Sequence, residues 1–222
     1  MNTLNKIQKK FEEIYRLPQL DSVQDYLINE KTVRLNHPHF RRPLEETLLV
    51  IEKPSEIQIG LYIAEEILQR LEVTSPFEEL GPHNLDDFCT AVEGVSHFLF
   101  VLTRWSQERS VSSLELELQA EVDKFVLCLF VLEKQQKNPA RHRLTASLFE
   151  NYHLVPSMNL EDRNRYDLAN KLAWQYCHIL AKTLHPLDRP ELVQEIRRFH
   201  RKGLQDKIHI LTSRRRRSSL PT

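Results

Sequence analysis

Glycine is scarce in this chain, with four residues in 222. Sandwich folds draw on glycine for their tight turns, and phosphate-cradling loops need it where backbone meets ligand, so both classes are set aside. Cysteine is as sparse. The three cysteines, Cys89, Cys128 and Cys177, form no Cys-x-x-Cys pair. This excludes a thiolate zinc knuckle and a disulfide framework, and it implies buried thiols in a reducing compartment. A cytoplasmic location is expected on that ground. No apolar run approaches the roughly 20 residues of a membrane span. Residues 1–17 are charged and amphipathic, unlike a signal peptide, so no membrane contact is expected. Neither a nucleophile elbow nor a paired-histidine zinc helix occurs. No catalytic residue is assigned, no cofactor is expected, and an enzyme is the less favoured class.

What the chain does have is helical periodicity and the punctuation of helix ends. The best-marked stretch is residues 86–135, which read as two long helices joined by a polar turn at residues 107–112. Asn84 before Asp87, and Ser112 before Glu115, place a capping side chain and an acid one turn apart. Apolar residues then recur at helical spacing through Phe88, Val92, Val95, Leu99 and Leu102, and again through Leu114, Leu118, Val122, Phe125 and Leu129. Further helices are expected at residues 4–17, 21–29, 64–72, 145–152, 159–184 and 191–211, the last opened by Pro190. Two strands, residues 47–51 and 57–63, stand out by the alternation of Ile57, Ile59, Leu61 and Ile63. Gly60 within the second marks a bulge or a close approach. The fold class is mainly α: an irregular helical bundle built around a long antiparallel helix hairpin at residues 86–135, with one small β-hairpin at residues 47–63. It forms a single domain over residues 1–212, followed by a disordered basic tail at residues 213–222.

Glu93, His97 and Arg104 share one face of the first central helix, and Glu117, Glu121 and Lys124 share one face of the second. An antiparallel turn near Arg109 sets Glu93 level with Lys124, His97 with Glu121, and Arg104 with Glu117. Each pair is complementary in charge, so a register-fixing ladder of ion pairs is the favoured reading. The sharper reading is a metal or acid–base site made by Glu93, His97, Glu117 and Glu121, since helix bundles hold metals on carboxylates and histidines. Other histidine groupings are incomplete: His37 with His39, a single Glu150-x-x-His153, and His178 with His185.

Net charge is zero, but it is unevenly spread. Residues 189–222 hold ten Lys and Arg against three acids, a net of +7, which leaves −7 on residues 1–188. Arg197, Arg198, Arg201, Lys202 and Lys207 form a basic flank of the last helix, and Arg214, Arg215, Arg216 and Arg217 follow it. Clustered cations of this kind suit a phosphate backbone or an acidic protein surface. Together these features lead to a non-catalytic helical interaction or regulatory protein, with a protein partner or a second copy of itself. The alternatives are an accessory nucleic-acid binder working through the basic C-terminal end, and a helical-bundle metalloprotein.

Overall fold

The computed structural model describes residues 2–37, 44–53, 56–137, 141–150, 159–183 and 189–218, of which 141, 142, 183 and 214–218 by their backbone alone. Amphipathic spacing produces the first helix, α1 (Thr3–Tyr15), which turns Leu4, Ile7, Phe11 and Ile14 into its own domain. A 3-10 turn (Val23–Tyr26) leads to α2 (Glu30–Asn36), which starts where Asn29 accepts a hydrogen bond from the Thr32 amide at 2.9 Å. Periodicity leaves this stretch irregular; the cap is enough to start a short helix.

Strands β1 (Glu46–Lys53) and β2 (Glu56–Ile63) pair antiparallel, with Leu49 opposite Gly60. The ladder is unbroken at Gly60. The glycine serves a close approach instead, since a Cβ there would stand 2.9 Å from the Ile28 side chain. Next come α3 (Glu65–Val73) and the long hairpin of α4 (Leu85–Trp105) and α5 (Ser113–Lys134). Ser112 caps α5 by accepting from the Glu115 amide at 3.2 Å. Asn84, by contrast, makes no cap bond to α4. Its side chain accepts from the Gly81 amide and donates to the carbonyls of Thr74 and Glu79, fastening the loop that precedes the helix.

After α6 (Arg141–Phe149), Asn159 caps α7 (Leu160–Thr183) through the Asp162 amide at 2.8 Å. Helix α7 turns Ala169, Ala173, Tyr176, Cys177 and Leu180 inward, whereas Leu168 is 44% exposed. Helix α7 packs along α5. Where one C-terminal helix was expected there are two, α8 (Arg189–Arg201) and α9 (Leu204–Ser218), with the break at Lys202 and Gly203. The helical backbone of α9 continues to Ser218, beyond the point at which composition starts the tail.

The fold is therefore mainly α, with nine α-helices and one small β-hairpin among the described residues. Helix α5 is its centre. Leu118, Val122, Phe125, Val126, Leu127, Cys128 and Leu129 are buried around its whole circumference. The sheet, α1 and α3 pack on α4, while α6 and α7 cover α5. Among the described residues no helix is long and apolar enough to cross a membrane.

Gly94 governs how closely the sheet meets α4. A Cβ there would stand 3.0 Å from both Glu46 Cγ and Leu61 Cδ1. Gly94→Val is expected to destabilise the fold by about 1–3 kcal/mol through overpacking. The measurement is the urea midpoint, and an unchanged midpoint would mean that the sheet is not held against α4 at this point.

Candidate functional site

Two stripes of polar side chains run along the inside of the α4–α5 hairpin. In the first, Lys124 Nζ lies 3.1 Å from Glu93 Oε2 and 2.5 Å from Glu121 Oε1, so the register that sets residue 93 level with 124 holds. His97 does not meet Glu121. Its Nδ1 is 3.4 Å from Glu46 Oε1, and its Nε2 is 3.6 Å from Glu117 Oε2. Strand β1 packs on α4 at Gly94 and delivers Glu46 into this space. Sequence reasoning missed Glu46, which is remote along the chain. The available signal was its register, because Glu46 shares a face of the strand with Leu48, which pairs with Leu61. Arg165 of α7 closes the group, with Nη1 2.7 Å from Asp162 Oδ1 and Nε 3.9 Å from Glu117 Oε1.

Burial sets the electrostatics here. It works to push His97 down, but the Glu117 and Glu46 carboxylates outweigh it and hold His97 well above the usual histidine value. Burial also works against charged Lys124, and Glu121 and Glu93 outweigh it in turn. Glu46 and Glu121 are pushed up by burial. Glu93 is desolvated as well, yet it comes out lowered because Lys124 and His97 overcome that cost.

The second stripe is deeper. Asp123 Oδ1 accepts from the Tyr15 hydroxyl and from Gln119 Nε2 at 2.8 Å, and its Oδ2 accepts from Ser96 Oγ at 2.6 Å. Lys207 of α9 donates to Gln119 Oε1 at 2.9 Å, with Glu115 Oε1 3.8 Å away. The rings of Phe100 and Phe199 flank its ammonium, and the residue is wholly enclosed. This overturns its expected place on a solvated flank. Because α9 starts afresh after Gly203, it presents Lys207 to the hairpin and not to water. Burial, helped by Arg104, lowers Lys207 to about 7, and burial raises Asp123 to about 6 against its three hydrogen bonds.

The arginines are spent largely on helix ends. Arg104 lies 4.0 Å from Glu115 rather than beside Glu117, and its Nη2 donates to the carbonyls of His200 and, at 3.3 Å, Lys202. Arg109 Nη1 donates to the Arg201 carbonyl at 3.2 Å. The unpaired, partially negative carbonyls that end α8 draw both guanidinium groups to them. Arg197 does the same for α1, donating to the carbonyls of Ile14 and, at 3.1 Å, Glu13. Arg198 pairs with Glu195 at 3.0 Å and Lys202 with Asp206 at 3.4 Å, while Arg201 is exposed. The side chains of Arg214, Arg215, Arg216 and Arg217 lie outside the described residues, as do His39, His153 and His185. His178 stacks on Trp174 with ring centres 4.8 Å apart.

At the turn of the helix hairpin lies an open groove of about 210 Å³, lined by the apolar side chains of Val50, Ile57, Val101, Trp105, Val111 and Leu116 together with the polar Glu52, Arg109, Ser112 and Ser113. Val50 and Ile51 are 38% and 44% exposed. Among the described residues only β2 pairs with β1, so the outer edge of β1 is open. No protein-family model, curated protein or solved structure matches the chain.

Lowering Lys207 from the ordinary 10.5 to about 7 means that the fold binds this proton less tightly than the unfolded chain. Between those values the unfolded chain carries the extra proton, so the site's contribution to stability rises with pH, by up to about 1.4 kcal/mol per pH unit. Wild-type stability minus that of Lys207→Met, from urea titrations between about pH 7 and pH 10, is expected to climb. A flat difference would return Lys207 to solvent.

Proposed function

We propose that this protein acts by binding another polypeptide, with the outer edge of β1 and the adjoining groove as the docking surface. One contrast carries the reading. The charges of the central hairpin are turned onto one another inside the fold, while apolar side chains and open backbone groups face water at its turn. An extended segment laid along β1 would gain main-chain hydrogen bonds, and its alternate side chains would reach toward Val101, Trp105 and Leu116. No bond is made or broken in such an activity. Selectivity resides in the groove, which accepts apolar side chains at every second position. Nucleic-acid contact through α8 and α9 has less support, because Arg197 and Lys207 are engaged within the fold.

Panning a displayed library of random peptides on the immobilised full chain tests this reading. Peptides with apolar residues at alternate positions are expected to be enriched. Val50→Lys and Trp105→Ala should each weaken them about tenfold or more. Absence of enrichment, or peptides that bind both variants as well as they bind the wild type, would overturn the proposal. Anisotropy with labelled RNA at low salt is the parallel arm, and tight, salt-sensitive binding there would move the function to nucleic acid.

A further inference from the structure

Glu93 and His97 stand one turn apart on α4, Glu46 comes from β1, and Glu117 comes from α5. Ligand atoms of Glu46, Glu93 and His97 all lie within 4.8 Å of one another. His97 is 4% exposed, and its Nε2 has no hydrogen-bond partner, with the nearest carboxylate oxygen, on Glu117, 3.6 Å away. From these groups we infer that Glu46, Glu93 and His97 bind one divalent cation of the transition series, with Glu117 at its side.

Charge supports the assignment. A metal-bound histidine is neutral. When a divalent cation takes the place of the His97 proton, the carboxylates of Glu46, Glu93, Glu117 and Glu121 stand against Lys124, Arg165 and the cation, and the bound cluster is electrically balanced. Asp162, at the exposed rim, also draws on Arg165, so no positive charge is to spare. Buried charge of one sign is costly unless it is neutralised. The donor set identifies the class of ion. One imidazole nitrogen with two or three carboxylate oxygens suits Zn²⁺, Fe(II) or Mn²⁺, whereas Ca²⁺ and Mg²⁺ take oxygen alone. Both imidazole nitrogens face carboxylates, Nδ1 toward Glu46 and Nε2 toward Glu117, so with Nδ1 on the cation the Nε2–H would meet Glu117, the arrangement that orients metal-bound histidines elsewhere. Glu46 and Glu93 are half-buried, which leaves the site reachable from water. A cation here fastens the first residue of β1 to the helix hairpin, a consequence independent of what docks on the far end of that strand.

Chelator-stripped full chain titrated with Zn²⁺ by calorimetry, and with Co²⁺ by visible absorption, tests the site. One equivalent is expected to bind, with ligand-field bands for Co²⁺ and a raised melting midpoint for Zn²⁺. Glu93→Gln and His97→Gln should each weaken binding by about 100-fold or more, and Asp87→Asn, in a surface pair with Arg70, should not. Absence of saturable binding in the wild type, or equal binding in both variants, overturns the inference. The ring resonances of His97 in the wild type give a second readout that needs no variant. They must move when Zn²⁺ is added, and unmoved signals overturn the inference even if the variants fail to fold.

Discussion

Helix α5 runs through the middle of the fold and yet carries Glu115, Glu117, Gln119, Glu121, Asp123 and Lys124. A carboxylate inside a protein must find a cation or hydrogen-bond donors, because losing its water costs several kcal/mol. Four helices around α5 answer that demand. Helix α7 brings Arg165 toward Glu117, α9 brings Lys207 to Gln119 and Glu115, and α1 brings Tyr15 to Asp123. Helix α4 supplies Ser96 to Asp123 and Arg104 to Glu115. A wholly apolar central helix would accept its neighbours in several slipped registers. With these charges inside, each slip strands a carboxylate, so the polar stripes narrow the choice of packing even where they add little net stability.

Residues 115 to 123 alternate strictly between polar and apolar, a period that belongs to strands. On a helix the same pattern divides into two stripes, Glu117, Glu121 and Lys124 on one side, and Glu115, Gln119 and Asp123 on the other. The first stripe is legible in the sequence, and so is the pairing of Lys124 with Glu93, because both follow from one local hairpin. The second is not legible. Its partners, Tyr15 and Lys207, come from opposite ends of the chain, at separations that no periodicity encodes. Capping signals divide in a similar way. Ser112 caps as its spacing predicts, while Asn84, equally well placed, is taken by the carbonyls of its own loop. One side-chain chemistry serves both ends, and only the surrounding loop decides between them.

The C-terminal excess of positive charge has a structural share. Arg104 and Arg109 end α8, and Arg197 of α8 in turn ends α1, so guanidinium groups stand where helix carbonyls accumulate negative charge. The break between α8 and α9 belongs to the same arrangement. At Gly203 a Cβ would stand 3.0 Å from Arg109 Nη2, so a glycine at the break leaves room for the arginine. With α9 restarted at this point, its first turn swings Lys207 beneath the rings of Phe100 and Phe199. Helical periodicity running through residues 191–211 hides all of this, because apolar spacing continues across the break.

Strand β1 joins the closed interior to the open surface. Its first residue, Glu46, is held beside His97, and Leu49 is buried, whereas residues 50–53 stand in water. A strand fixed at one end and free at the other presents its edge already extended, so a peptide that pairs with residues 50–53 meets backbone whose conformational entropy has been removed by folding. Nothing in the ionic cluster has to move for that pairing. The interior charge therefore bears on the outer surface only through position. It holds β1 against α4, and that hold sets Val50 and Ile57 in one groove with Trp105.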